Sequence, residues 1–184
     1  MTKLLLRNGG STDNDLAFDI DHYKRALAKF PTGVAVVTGK GAGGNAFGLT
    51  VNSFTSVSLS PALVMWCLRS ESSLYRDFSA SKYFVVNVLA ANQEWIAAQF
   101  AARISNRFGG VSHRSGLGGC FVLTDVAASF ECEVISRQIV GDHLLLIGKV
   151  DSFAFSGLDP LVMHSGAITG RCHTPSLQTT KKTI

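Results

Sequence analysis

Between Ala46 and Pro61 the chain reads AFGLTVNSFTSVSLSP. The segment alternates as a strand does, yet Thr50, Asn52, Ser53, Thr55, Ser56 and Ser58 fill it with small hydrogen-bonding groups. A strand that only built a core would carry more Val, Ile and Leu. Short hydroxyls and amides let a backbone approach a polar ligand closely and donate to it, which suits a phosphate or a polar ring. Taken alone, the same pattern also describes a half-exposed strand with a Ser/Thr face.

Other reactive patterns are missing. The chain contains no G-x-x-x-x-G-K-[ST], no G-x-S-x-G and no H-E-x-x-H. The glycines from Gly39 to Gly44 do not spell G-x-G-x-x-G, and they join two expected strands where a Rossmann site needs a strand and a helix. His22, His113, His143, His164 and His173 make no metal-ligand pair at short spacing. Cys67, Cys120, Cys132 and Cys172 are far apart, and Cys67 and Cys132 lie in apolar runs where a thiol behaves as a small buried hydrophobe. Glu131 and Glu133 share one strand face, which reads as solvated; in the long glycine-containing segment Arg107 and His113 could steer an anionic nucleotide but read more simply as surface groups. No catalytic acid, base or metal set is expected. A reaction carried by a cofactor needs few such groups, only close and aligned reactants, and hydride transfer between nicotinamide and flavin is one of these.

The elements that would position this segment follow from composition and pattern. The chain has 184 residues, 46% hydrophobic, enough for one domain with a substantial core. Charged residues make up only 16%, which points to surface covered in a homodimer or larger assembly. The formal charge of +4 is scattered, with no basic track for nucleic acid. Leu4 to Leu6 is too short for a secretory core and no apolar run reaches the length of a membrane span, so the chain reads as cytoplasmic.

Residues 1–17 read as a mobile arm and 171–184 as a polar tail, flanking a domain over 18–170. A helix is expected over 19–30, capped by Asp19, with Ile20, Tyr23, Leu27 and Phe30 at helical spacing and Pro31 as its stop. A second, capped by Asn92, runs to Ala102, and a helical turn covers 74–79. Strands are expected over 32–38, 47–57, 62–68 (apolar throughout, hence covered on both faces), 83–89, 127–140, 143–155 and 161–168, with a hairpin turn at Gly141-Asp142 and a long loop over 103–119. Many strands, few helices and no strand–helix alternation predict a mainly β, antiparallel barrel.

Several stretches carry a resemblance. Phe30-Pro31-Thr32-Gly33-Val34 leads into Val36-Val37-Thr38. Gly48-Leu49-Thr50-Val51-Asn52-Ser53-Phe54 is followed by Ser56-Val57-Ser58-Leu59 and Pro61, and Gly141-Asp142-His143 opens Leu144 to Gly148. In this order the chain, over about residues 20–168, resembles the short-chain flavin reductase family with its FMN-binding split antiparallel barrel. It is most similar to the reductase components of two-component aromatic monooxygenases acting on chlorophenols, nitrophenols or 4-hydroxyphenylacetate.

The resemblance implies roles. Thr32 and Gly33 would lie near the isoalloxazine ring, and Thr50, Val51, Asn52 and Ser53 would wrap the ring edge and ribityl chain through backbone N–H groups. Cys67, Leu68, Arg69 and Ser72 would reach ribityl and phosphate, and Phe100 would stand near the flavin or simply fill a helix core. His143 would contact the nicotinamide nucleotide. The implied activity is NADH-dependent reduction of free FAD or FMN by a homodimer, with reduced flavin passed to a separate oxygenase that hydroxylates an aromatic substrate. Ile168 stands where relatives often carry Tyr. Two other readings share the barrel: a flavin- or haem-binding carrier or sensor without turnover, and a pyridoxamine-phosphate-oxidase-like enzyme, which would need a second basic cluster.

Overall fold

A computed structural model describes residues 18–169 of the chain. The expected arm over 1–17 and tail over 171–184 lie outside those residues. In chain order the elements are α1 (Ile20–Leu27), β1 (Thr32–Gly33), β2 (Ala35–Lys40), β3 (Ala46–Val51), β4 (Thr55–Leu59), β5 (Ala62–Arg69), α2 (Tyr75–Ala80), β6 (Tyr83–Val88), α3 (Glu94–Ala101), β7 (His113–Ser115), β8 (Phe121–Leu123), β9 (Ala128–Val140), β10 (His143–Phe155), β11 (Val162–His164) and β12 (Ala167–Thr169). The fold is mainly β with antiparallel pairing, as the sequence pattern predicts.

Seven strands form one sheet in the order β3-β2-β6-β9-β10-β5-β4. Its two edge strands, β3 and β4, are consecutive in the chain, joined only by residues 52–54. Six inter-strand steps in a flat sheet would separate those edges by roughly 29 Å. Three linking residues span at most about 14 Å. The sheet therefore curls until its edges approach, yet β3 and β4 do not pair as strands, so the ring stays open.

The curl encloses one core. Ala35 and Val37 (β2), Phe47 and Val51 (β3), Val64, Trp66 and Leu68 (β5), Phe84 and Val86 (β6), Cys132 (β9), and Leu144 and Leu146 (β10) meet in a single buried cluster. Phe78 of α2 closes it, its ring edge-on to Phe47 at 4.7 Å and to Trp66 at 4.8 Å. A second cluster lies on the outer side of β2, where Ile96, Ala97 and Phe100 of α3 pack with Val34, Val36, Leu89 and Leu161. Gly48 allows that contact: a Cβ there would lie 2.9 Å from the Phe100 ring and 3.1 Å from the Val37 carbonyl oxygen.

Several expectations are corrected. The strand over 32–38 breaks at Val34, whose N–H donates to Leu161 while its carbonyl accepts from Leu89, so β1 leaves to pair with β11. The strand over 47–57 is two strands, because the chain crosses between sheet edges at 52–54. β5 is not covered on both faces: Val64, Trp66 and Leu68 are buried, whereas Leu63, Met65 and Cys67 are half-exposed on the outer side. The strand over 161–168 is the hairpin β11–β12, turning at Ser165-Gly166.

The helix after residue 92 is preceded by Gln93, not capped by Asn92; the Gln93 side chain accepts from Ala90 N–H and donates to the Thr124 carbonyl. The loop over 103–119 contains β7, which pairs with β8 into a ribbon. That ribbon covers Glu131, which is buried, bound to Arg114 at 2.8 Å and to Leu117 N–H at 2.6 Å, while Glu133 is exposed. Arg107 is not surface decoration: its guanidinium donates to the Ala102 and Gly48 carbonyls and ties the loop to β3. His113 stacks on Phe121 at 3.9 Å.

Among the described residues Phe78 is the one fully buried helical side chain of the enclosed cluster, with Tyr75 of the same helix packed partly against it, so removing Phe78 leaves a void in the core. Phe78→Ala is expected to lower unfolding free energy by about 3–5 kcal/mol, read from denaturant melts. A loss below about 1 kcal/mol would show that α2 does not seal the core.

Candidate functional site

Where β3 ends and the chain crosses toward β4, the curled sheet leaves a cleft of about 380 Å³. Its walls are the β3 end and crossing (Leu49, Thr50, Val51, Asn52, Ser53), the β5 end (Cys67, Leu68, Arg69), the turn after it (Glu71, Ser72), Arg103 and His143. His143 opens β10 directly opposite Arg69 of β5, so strand register alone brings two residues distant in sequence to one rim. Ser70 N–H donates to the Asp142 carbonyl and locks the two turns together.

The structure gathers Thr50, Val51, Asn52, Ser53, Cys67, Leu68, Arg69, Ser72 and His143 around this cleft. Three other predicted residues are placed elsewhere. Phe100 is buried in the outer cluster beneath Gly48 and lines no part of the cleft. Thr32 and Gly33 lie on β1, with Thr32 paired to Met163 and Gly33 to Val162. Met163 sulfur in turn meets the Asn52 side-chain amide at 3.6 Å, so β1 stands one residue behind the cleft wall. The Thr32 hydroxyl is buried and has no hydrogen-bond partner among the described residues.

The polar segment acts differently from its first reading. Thr50 Oγ1 donates to the Ala97 carbonyl at 2.7 Å and holds α3 to β3. Ser53 Oγ donates to the Cys67 carbonyl at 3.1 Å and accepts from Cys67 N–H at 3.0 Å. That side chain continues the β4–β5 ladder one step past its last backbone pair, Thr55 with Met65. These hydroxyls are therefore occupied within the protein. The free donors are on the main chain: among the described residues, the N–H groups of Asn52 and Ser53 reach no acceptor.

Leu49, Glu71 and Arg103 were not singled out from sequence. Glu71 holds the Arg69 guanidinium at 3.1 Å, both side chains being largely exposed. Arg103 follows α3 and has no hydrogen bond or ion pair among the described residues. A lone Arg after an apolar helix carries no sequence signal; only the fold turns it to the cleft. Ser72 Oγ accepts from Leu74 N–H at 3.3 Å.

Two titrating groups have a clear cause. Burial pushes the Cys67 thiol up, so it stays protonated at neutral pH. Asp142 is held below the usual carboxylate range, first by its hydrogen bond with His143, then by its own backbone N–H and the neighbouring charges. The distance from His143 Nδ1 to Asp142 Oδ1 is 2.7 Å. An ionised carboxylate only accepts, so Nδ1 carries the hydrogen and Nε2 keeps the lone pair when the ring is neutral.

Residues 27–170 match the family described as the flavin reductase like domain. The chain belongs to this family. A protein of Rhizobium meliloti (strain 1021) named "Probable flavin reductase" is 41% identical over 160 residues, covering 87% of this chain and 50% of that protein. The stachydrine N-demethylase reductase subunit Stc3 of the same organism is 36% identical over 144 residues, covering 78% of this chain and 63% of Stc3. The chain thus spans about half to two thirds of the length of these flavin reductase-like relatives. Among solved structures, the Streptomyces globisporus C-1027 NADH:FAD oxidoreductase SgcE6, in complex with NAD and FAD fragments, superposes with a TM-score of 0.80 at 32% identity, covering 86% of this chain and 95% of that one.

Ser53→Ala leaves both Cys67 backbone groups without their partner and is expected to cost about 1–3 kcal/mol of stability, measured by denaturant unfolding; a neutral substitution would mean water replaces the hydroxyl. Asp142, with its folded pKa depressed, contributes stability that is present above its ordinary value and is lost only as pH falls below that range. A carboxyl-carbon NMR titration is expected to place Asp142 below ordinary aspartates and to shift it up in His143→Ala. Identical midpoints in both proteins would remove His143 as the cause.

Proposed function

We propose that the chain is an NADH-dependent reductase of free flavin that works as a homodimer in the cytoplasm and supplies reduced flavin to a separate oxygenase component acting on an aromatic substrate. The observation that carries this reading is the cleft itself. It unites two unpartnered main-chain N–H donors, two guanidinium groups and a histidine of fixed tautomer in a volume suited to a small molecule.

The donor set fits a flavin nucleotide. Asn52 and Ser53 N–H groups suit the carbonyl and nitrogen edge of the ring, and Arg69, Arg103 and the Ser72 hydroxyl suit a phosphate. Bound flavin would supply the hydride acceptor, taking hydride from nicotinamide C4 at N5. The chain's own contribution is alignment: Asn52 and Ser53 fix the ring edge, the Leu49, Val51, Leu68 and Cys67 walls exclude water, and His143 Nε2 orients the nicotinamide nucleotide from the opposite rim. Thr32 and Gly33 reach the ring from behind Asn52, and Phe100 supports β3 from beneath rather than touching the flavin.

Uncovered apolar surface supports the dimer. Phe18, Ile20, Tyr23, Leu27 and Phe30 line one side of α1 and its flanks, with none of the helix's residues buried, and Leu59, Phe153 and Phe155 are 93%, 67% and 81% exposed. Large exposed apolar side chains of this kind suit surface that another molecule covers. The partner oxygenase is supported by Stc3, named as a reductase subunit; FAD is supported by SgcE6, named as a NADH:FAD oxidoreductase. The aromatic substrate rests on the sequence resemblance. Cys67, Cys120 and Cys132 are free thiols, which suits a reducing compartment, and no helix among the described residues is long and apolar enough to cross a membrane.

The test is anaerobic NADH oxidation by purified protein with FAD, with FMN and without flavin. Oxidation is expected only with added flavin, one reduced flavin appearing per NADH consumed, and the ratio of rates names the preferred flavin. Flavin binding with no NADH oxidation would replace the reductase by a carrier or sensor.

A further inference from the structure

The charges facing the proposed flavin phosphate do not all favour it. Arg69 and Arg103 are cationic, but Glu71 also lines the cleft, and its carboxylate holds Arg69 Nη2 at 3.1 Å. Glu71 is 84% exposed and supports no buried structure, so packing does not explain its place. A phosphate reaching Arg69 must take over donors that Glu71 engages and then sit beside a like charge. Arg103, without any acidic partner among the described residues, keeps its full charge for the ligand.

We propose that Glu71 is a specificity-determining residue that weakens the cleft's hold on the flavin phosphate by competing for Arg69. The inference deepens the flavin-reductase reading and rests on it. Its chemical content is selective: Glu71 acts against the phosphate and has no means of discriminating at the ring. A phosphate monoester, near two negative charges at neutral pH, meets the strongest opposition, and riboflavin, which has no phosphate, meets none. For a protein that releases reduced flavin to a partner, a graded hold on the phosphate sets how readily the flavin departs, because affinity differences within one site appear mainly as dissociation rates.

The experiment is a fluorescence titration of riboflavin and FMN against the wild-type protein, Glu71→Gln and Glu71→Lys, at low and at physiological ionic strength. Glu71→Gln is expected to raise the FMN-to-riboflavin affinity ratio about threefold at low salt, Glu71→Lys further, and both gains should shrink as salt rises, since the groups are exposed. A ratio unchanged in both variants, with both flavins bound, would overturn the competition while leaving the flavin site standing. A ratio that shifts in Glu71→Lys alone would also overturn it, since the added cation and not the removed carboxylate would then be the cause. Failure of either flavin to bind the wild-type protein would overturn the flavin-site reading and this inference with it.

Discussion

Three residues decide the architecture. Asn52, Ser53 and Phe54 must carry the chain from one edge of a seven-stranded sheet to the other, and a flat sheet is about twice too wide for them. Curling is the only solution, and it has two effects at once. It brings side chains from six strands into one enclosed core, and it leaves the crossing segment as irregular backbone at the mouth of that curl. Backbone that belongs to no strand has N–H groups to spare. The cleft is therefore a by-product of the topology, lined by main-chain donors because the chain must leave one sheet edge before it joins the other.

Around that crossing, side chains and main chain divide their tasks. The Thr50 and Ser53 hydroxyls hold α3 and β5 in place and stabilise the wall, while the Asn52 and Ser53 N–H groups reach no acceptor among the described residues. Larger residues could not make both contacts within so short a span. Across the rim, the tie between Ser70 N–H and the Asp142 carbonyl fixes the β5 turn against the β9–β10 hairpin, and the register of β10 on β5 then sets His143 opposite Arg69.

Much of this is legible in the sequence, and the rest is not for physical reasons. The long hairpin was readable because thirteen-residue strands with Gly141 between them leave few alternatives, and Gly141 indeed takes a positive φ of 59°. Most cleft residues were readable through the resemblance, since Thr50–Ser53 and Cys67–Arg69 are contiguous stretches. Breaks inside strands were not: the exchange of partners at Val34 and the crossing at 52–54 are set by which strand lies next door, information a local period of two does not contain. Phe100 satisfied a helical apolar pattern equally well as core or as ligand contact, and only the approach of Gly48 decides for the core. Glu131 illustrates the opposite error. Its alternation with Glu133 implied solvent, but the β7–β8 ribbon folds over one of the two carboxylates and not the other.

Cys67 has a further significance. If the cleft releases reduced flavin as proposed, oxygen makes it a local source of peroxide, and a thiolate in its wall would be the first group attacked. Partial burial raises the Cys67 thiol above its ordinary value and so lowers its thiolate fraction further, and Ser53 engages its backbone rather than its side chain. The wall thus carries a soft, space-filling atom whose reactivity is lowered by the same desolvation that shapes the pocket.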